Sequence, residues 1–265
     1  MDSLDCPPDR VLSYARLVTE QVGESLGGTL RAAYLHGSAV LGGWVPERSD
    51  VDMLFVADDG AGGQALAAMA SALAEARPPC PGTGLECSVV TAGQAAHPRP
   101  PWPFLLHVAE ASGRGQLRVV GGDDHPGDPD LLMHYTVCRR AGWPVYGPAA
   151  PDLIGHVPRL VVLSYLADEL RWGIEHGTEA YAVLNACRAL IFLADGQIVS
   201  KVAGGGIALA RGLVPPAVLD RALDQQQGNA AERASAPDAV EFVLAAAEAL
   251  RFAASGRRSS LDSTG

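Results

Sequence analysis

Positive charge is scarce in this sequence, and lysine is almost missing from it. Lysine and arginine together number 20 against 30 aspartate and glutamate residues, which gives the 265-residue chain a formal net charge of −10. A nucleic-acid-binding protein usually presents a basic face to the phosphate backbone, so this balance argues against a nucleic-acid partner. An acidic chain is better suited to a small cationic ligand.

The sequence also lacks the features of secreted, disulfide-rich or membrane-spanning proteins. Its five cysteines are scattered and contain no Cys-x-x-Cys pair, which is typical of reduced thiols in a cytoplasmic protein. The acidic, proline-bearing start shows no signal-peptide pattern. No run of about 18 apolar residues predicts a membrane span. We therefore expect a cytoplasmic monomer with no membrane partner.

The first 150 residues alternate between helical and strand-like patterns. Apolar spacing predicts helices over 10–26, 63–76 and 128–142, and a short helix beginning at Ser38. Apolar runs predict strands over 30–37, 50–58 and 84–91. The stretch 95–104 contains four prolines and predicts a loop. This alternation is typical of an α/β domain.

The rest of the chain is helical by pattern. Helices are predicted, with glycines and prolines between them, over 156–176, 178–194, 200–211, 215–226 and 237–254. We therefore expect an α+β protein with an N-terminal α/β domain over 1–150 and an all-helical bundle over 151–254. A disordered tail is expected over 255–265.

Two aspartates lie inside an apolar strand pattern. Asp50 and Asp52 are two positions apart, so their side chains leave the same face of a strand, close enough to share a cation. Mg²⁺ accepts carboxylate and phosphate oxygens and would relieve their repulsion. Gly37 and Ser38, at a predicted strand-to-helix turn, would form a phosphate cradle. The alternative is a pair of solvated acids at a strand end.

A third acid, Glu86, lies in the next predicted strand. If that strand pairs beside the aspartate strand, Glu86 joins the same cluster. It would then serve as a third metal ligand, or as a base that takes a proton from an attacking hydroxyl. The alternative is an exposed strand acid.

These motifs resemble a known family. The segment HGSAVLGGWVPERSDVDMLF resembles the G-S and S-D-x-D signature of the DNA polymerase β-like nucleotidyltransferases. The segment LNACRALIFLADGQIVSKVAGGGIAL, residues 184–209, is similar to the helical domain of the streptomycin/spectinomycin (aminoglycoside) adenylyltransferases. The resemblance implies a nucleotidyltransferase domain over 1–150, followed by a helical substrate- and nucleotide-closing domain over 151–254.

The resemblance also implies a function and residue roles. The expected reaction is transfer of AMP from ATP, with Mg²⁺, to a hydroxyl of an antibiotic such as spectinomycin or streptomycin, with release of pyrophosphate. The roles fall on these residues: Asp50 and Asp52 for Mg²⁺, Glu86 as general base beside the acceptor, and Gly37, Ser38, Ser49, Arg188 and Lys201 for the nucleotide.

Elementary electrostatics supports a role for Arg188 and Lys201 in binding the nucleotide. ATP carries several negative charges that the acid cluster would repel, so positive groups must come from elsewhere in the chain. Arg188 lies in an otherwise apolar helix, where it needs a partner, either a phosphate or a nearby carboxylate. Lys201 is the sole lysine in the chain, which suggests that an ammonium group is required there.

Acids and one tryptophan are the candidates for binding the acceptor. Glu175 and Glu179 are like charges four positions apart, a repulsion that a polycationic ligand would relieve. The alternative is a solvated helix face with an Arg171–Glu175 pair. Thr178 stands where the family's bifunctional members place an aspartate for streptomycin, and Trp102, in the proline-rich loop, is the nearest candidate for the acceptor-side tryptophan.

Other functions remain open at this point. The acceptor could be a different hydroxylated metabolite or a protein hydroxyl. The chain could also be a non-catalytic nucleotide-binding relative.

Overall fold

The computed structural model describes residues 6–110 and 116–256. The chain divides into two compact units, Met1–Val157 and Pro158–Gly265. The predicted α+β fold class is confirmed, because one unit holds a mixed sheet with helices and the other holds helices. Residues 257–265 of the predicted tail lie outside the described residues. None of the helices in the described part of the chain is both long and apolar enough to span a bilayer.

The first unit is built around six strands. Its elements in chain order are α1 (Asp9–Leu26), β1 (Leu30–Leu35), β2 (Val51–Ala57), α2 (Gly63–Ala76), β3 (Leu85–Thr91), α3 (Ala92–Ala96), β4 (Leu106–Glu110), β5 (Leu117–Gly121), α4 (Leu131–Ala141), β6 (Trp143–Tyr146) and α5 (Ala150–Leu153).

The strands form one sheet in the order β5-β4-β3-β2-β1-β6. Only the central β2–β3 pair is parallel, and the other pairs in this part of the chain are antiparallel. One face of the sheet packs on α1, which buries Val11, Ala15, Val18 and Val22 at helical spacing. The β2 residues on that face include Met53. Because side chains alternate along a strand, Asp52 and Glu86 point to the opposite face.

Two local expectations for the first unit were wrong. The short helix predicted from Ser38 is only a single 3₁₀ turn, Gly37–Ala39, followed by turns. The predicted helix over 128–142 begins later, at Leu131, and the Asp128 carboxylate accepts the Asp130 N–H in the segment before it. The two compact units meet between Val157 and Pro158.

The second unit consists of long helices, as predicted. Its elements are α6 (Arg159–His176), α7 (Glu179–Asp195), α8 (Lys201–Ala210), α9 (Pro216–Gln227) and α10 (Pro237–Ala254). Helix α7 is central, because it packs against each of the other four. It buries apolar residues along much of its length, among them Val183 and Ile191. A helix that buries apolar residues against several neighbours is typical of the middle of a bundle.

A buried carboxylate ties three parts of the bundle together. Glu179, at the start of α7, is 0% exposed. Its carboxylate accepts hydrogen bonds from Arg221 Nε on α9 (2.9 Å) and from the Ala236 N–H just before α10 (2.7 Å). Arg221 also pairs with Asp238. A buried charge is stable only when it is paired and hydrogen-bonded in this way.

We predict that Glu179→Gln lowers the free energy of unfolding by about 2 kcal/mol or more, because it removes the negative charge that Arg221 and the Ala236 N–H stabilise. Glu175→Gln, at an exposed position of α6, is the matched control and should change stability by no more than about 0.5 kcal/mol. Urea unfolding followed by circular dichroism measures both. Equal effects of the two substitutions would contradict this role for Glu179.

Candidate active site

The centre of the candidate site is the parallel β2–β3 pair. Asp52 and Glu86 are direct register partners on this pair, and neighbouring strands lie about 4.8 Å apart. Both side chains are half-buried and lie on the sheet face opposite the α1–α2 core. The structure therefore brings these two carboxylates side by side.

The other aspartate of the motif lies just outside the strand. Asp50 precedes β2, and its carboxylate accepts a hydrogen bond from the Thr83 hydroxyl. The backbone on either side is tied to the same loop, since the Thr83 N–H donates to the Ser49 carbonyl (3.0 Å) and the Val51 N–H to the Gly84 carbonyl (2.8 Å). These contacts fix Asp50 at the mouth of the β2–β3 pair.

Gly37 approaches Asp52 so closely that no other residue fits. Its φ of +65° lies in the left-handed region. A Cβ atom at this position would lie 1.8 Å from the Asp52 Oδ2 atom. The His36 N–H donates to the Asp52 carbonyl (3.0 Å), which holds the end of β1 against β2. The Gly37 backbone is therefore packed against the Asp52 side chain, and the helix N-terminus expected after Gly37 is absent, since only a 3₁₀ turn follows.

The two serines of the predicted phosphate cradle have different surroundings. Ser38 is half-buried in the 3₁₀ turn. Ser49 is buried, and its hydroxyl oxygen accepts the Val45 N–H (3.0 Å). Ser49 therefore also closes the loop that leads into β2.

Negative charge crowds around Glu86. Burial, followed by the charges of Asp50, Asp130 and Asp128, raises the pKa of Glu86 from 4.5 to about 7. Asp128 and Asp130 come from the segment before α4, and the sequence did not predict their nearness to Glu86. The Asp-Pro-Asp spacing gave no signal for it, because the contact depends on how this loop returns to the sheet.

Histidines on the same side of the sheet are held neutral. The rings of His36 and His134 of α4 lie 4.7 Å apart between centroids. Burial lowers the pKa of both, and the neighbouring His134 adds to the effect on His36. His107 contacts the Ser88 hydroxyl through Nδ1 (3.0 Å). At neutral pH these rings add no positive charge to offset the acids.

The carboxylates of the site fit a magnesium ion that is also bound by phosphate oxygens and water. Within residues 6–110 and 116–256, no three His, Cys, Asp or Glu side chains converge as a metal site. Asp50 and Asp52 would supply two carboxylates, and Mg²⁺ usually completes its shell with phosphate oxygens and water.

The two predicted phosphate-binding cations lie on adjacent helices of the second unit. Arg188 is on α7, and one of its N–H groups donates to the Asn185 side chain (3.2 Å). Lys201 is the first residue of α8. A Cβ at Gly204, one turn along α8, would lie 2.9 Å from Arg188 Cγ. The glycine therefore lets the arginine stem pass closely beside α8.

Comparison with known proteins identifies this helical unit. Residues 155–251 match the family model described as the aminoglycoside adenylyltransferase C-terminal domain. The chain carries the C-terminal domain of the aminoglycoside adenylyltransferase family. The predicted resemblance to that family is confirmed. The sequence gives no significant match among curated proteins.

A solved adenylyltransferase has the same fold. The chain is similar to spectinomycin adenyltransferase AAD(9) from Enterococcus, whose crystal structure contains ATP and spectinomycin. The similarity covers 90% of this chain and 98% of that chain, with a TM-score of 0.62 and 15% sequence identity. The α+β architecture is therefore that of an aminoglycoside adenylyltransferase.

The predicted acceptor-binding residues are not all retained. Glu179 is fully buried and held by Arg221, so it has a structural role instead. Trp102 is 7% exposed and lines a cavity of about 340 Å³ with Asp59, Thr91 and Tyr135, and none of the three site acids lines that cavity. Glu175 is exposed on α6 and remains a candidate.

An exposed aromatic side chain was missed from the sequence. Trp172 of α6 is 49% exposed and stacks on His176, with a centroid distance of 5.1 Å. Its position three residues before Glu175 was the available signal, because exposed tryptophans beside acids are unusual on a helix surface.

We predict that Gly37→Ala weakens MgATP binding by at least about tenfold, because the new Cβ displaces the Asp52 carboxylate. Gly27→Ala is a matched control, since Gly27 also has a positive φ of 59° but nothing within 4 Å of a Cβ. Titration calorimetry measures binding to both variants. Equal binding losses would show that left-handed strain, and not contact with Asp52, causes the effect.

A second prediction concerns the stability of the metal-free protein. Between pH 4.5 and about 7 the folded chain keeps a proton on Glu86 that the unfolded chain has lost, so stability falls as pH rises through this window. Glu86→Gln should remove this loss. Relative to wild type, the substitution should raise the free energy of unfolding by on the order of 2 kcal/mol more at pH 8 than at pH 4.5. Urea unfolding in EDTA measures it, with exposed Glu20→Gln as control. A pH-independent difference would contradict the raised pKa.

Proposed function

We propose that the chain transfers AMP from MgATP to a hydroxyl group of an aminoglycoside or aminocyclitol antibiotic and releases pyrophosphate. The observation that carries this proposal is the direct register pairing of Asp52 with Glu86. This pairing puts a carboxylate that would hold the metal beside a carboxylate whose raised pKa, about 7, suits a general base. The family domain over residues 155–251 and the fold shared with AAD(9) support it.

Asp50 and Asp52 would hold the magnesium ion that accompanies ATP, beside the close Gly37 backbone. When bound, this ion would neutralise charge on the phosphates and help to align the acceptor oxygen. Ser38 and Ser49 would contact the triphosphate, and Arg188 and Lys201 would supply positive charge to it. These assignments follow the family motif.

Glu86 would act as the general base. Its carboxylate would accept the proton of the acceptor hydroxyl while the acceptor oxygen bonds to the α-phosphorus and the bond to pyrophosphate breaks. A base is most effective when its pKa lies near the working pH, and burial among Asp50, Asp128 and Asp130 raises the pKa of Glu86 to about 7.

The excess of acidic groups favours a cationic acceptor. Asp128 and Asp130 lie near Glu86 and add negative charge where an antibiotic with amino groups would have to approach. Spectinomycin is the first acceptor to test, because AAD(9) was crystallised with it. Streptomycin is second, because Thr178 stands in place of the family's aspartate and its hydroxyl caps α7 through the Tyr181 N–H (3.2 Å).

The function is tested with purified protein, MgATP and a panel of aminocyclitol and aminoglycoside antibiotics. We expect antibiotic-dependent pyrophosphate release that EDTA abolishes. Glu86→Gln should lower kcat by about 10²- to 10⁴-fold, because the base is lost, while MgATP affinity stays within about threefold. Glu20→Gln should behave as wild type.

Two outcomes would contradict the proposal and favour a different function. Labelled AMP found on proteins of a lysate, with no antibiotic modified, would indicate a protein hydroxyl as acceptor. MgATP binding without pyrophosphate release under any condition would indicate a nucleotide-binding protein without transferase activity.

A further inference from the structure

Helix α7 presents three polar side chains along one face. Tyr181, Asn185 and Arg188 are spaced at i, i+4 and i+7, which places them on one side of a helix. The first turn of α8 lies against this face, as the close approach of Gly204 to the Arg188 stem shows. Lys201 and Gly204 are three positions apart and share a side of α8. The sole lysine therefore lies next to the Tyr181 end of the face.

The Tyr181 ring is held rigidly from the α6 side. A Cβ at Gly173 would lie 3.2 Å from the ring and one at Gly177 only 2.9 Å from it, so these two glycines make room for the ring. The tyrosine hydroxyl donates a hydrogen bond to the Glu169 carboxylate. The edge of the Trp172 ring system contacts it as well, with a centroid distance of 6.0 Å. The ring has little freedom to move.

The Lys201 ammonium group lies over this fixed ring. Its Nζ atom is 5.0 Å from the Tyr181 ring centroid, within the range of a cation–π interaction. A lysine side chain has four flexible carbons and many rotamers, so an ammonium group is positioned only when something restricts it. An aromatic face restricts the ammonium group in this way.

We propose that Tyr181 is a positioning residue that holds the Lys201 ammonium group for binding the polyphosphate of the nucleotide. This inference rests on the proposed function, and it adds a residue that neither nucleotidyltransferase motif of the sequence contains. Tyr181 acts through Lys201, so its ring matters to phosphate binding only while the ammonium group is there. The glycines at 173 and 177 serve the same purpose, since they admit the ring.

A double-mutant cycle tests this coupling. Tyr181→Leu should weaken binding of MgATP and of inorganic pyrophosphate by about 3- to 30-fold, the range expected for a lost cation–π contact and the ordering that it provides. In a Lys201→Met background the same substitution should change binding by less than about twofold. Tyr181→Phe keeps the ring and should bind within about threefold of wild type. Titration calorimetry measures five proteins: wild type, the two single variants of the cycle, the double variant and Tyr181→Phe.

The main result of a second measurement comes from the wild-type protein without ligand. Because Lys201 is the sole lysine, the tag-free wild-type chain labelled with ¹³C-lysine gives one side-chain NMR signal. A ring beneath the ammonium group should shift the Hε protons upfield of their random-coil position. Tyr181→Phe should retain this shift, and pyrophosphate should move the signal.

The results separate this proposal from the proposed function. An unshifted lysine signal in the wild type, or an equal loss of affinity in both backgrounds of the cycle, would overturn the role of Tyr181. If the cycle shows the expected coupling but no antibiotic mixture releases pyrophosphate, the role of Tyr181 is supported. That result would contradict only the proposal that an antibiotic is the acceptor.

Discussion

The candidate site depends on the parallel pairing of two strands in one register. Asp52 and Glu86 come from segments separated by a helix and a loop, and only the β2–β3 ladder makes them neighbours. Parallel neighbours need a crossover connection, and α2 provides it between β2 and β3. The apolar residues on the reverse face, Met53 and Cys87 among them, are buried in the core and fix the ladder.

The same arrangement brings several acidic side chains together. Asp50, Asp52 and Glu86 lie at the mouth of the ladder, and Asp128 and Asp130 add to the negative potential around Glu86. Burial lowers the pKa of His36 and of His134, so these rings stay neutral at pH 7. Cations bound at the site would relieve the repulsion among the carboxylates.

The sequence predicted the elements of the site where local pattern determines them. The strands that carry Asp52 and Glu86, the turn at Gly37 and the five long helices of the second unit all follow from apolar spacing with glycine and proline breaks. The helix expected from Ser38 did not form, because the glycines and the proline that follow it favour turns over a regular helix.

The failures have a common physical origin in long-range contacts. Glu179 reads as a surface acid, yet Arg221 and the Ala236 N–H, 42 and 57 positions away, bury it. Tyr181 reads as one more apolar helix residue, yet glycines of α6 and the lysine of α8 surround its ring. No spacing along the chain encodes such partners, which only the folded bundle brings together.

The alternation of side chains along β3 has an evolutionary consequence. Glu86 lies between Leu85 and Cys87, which are both buried in the core. If the pairing of β3 with β2 slipped by one residue, Glu86 would turn into the hydrocarbon interior and a core residue would turn out to solvent. Substitutions that loosen this register are therefore expected to be selected against.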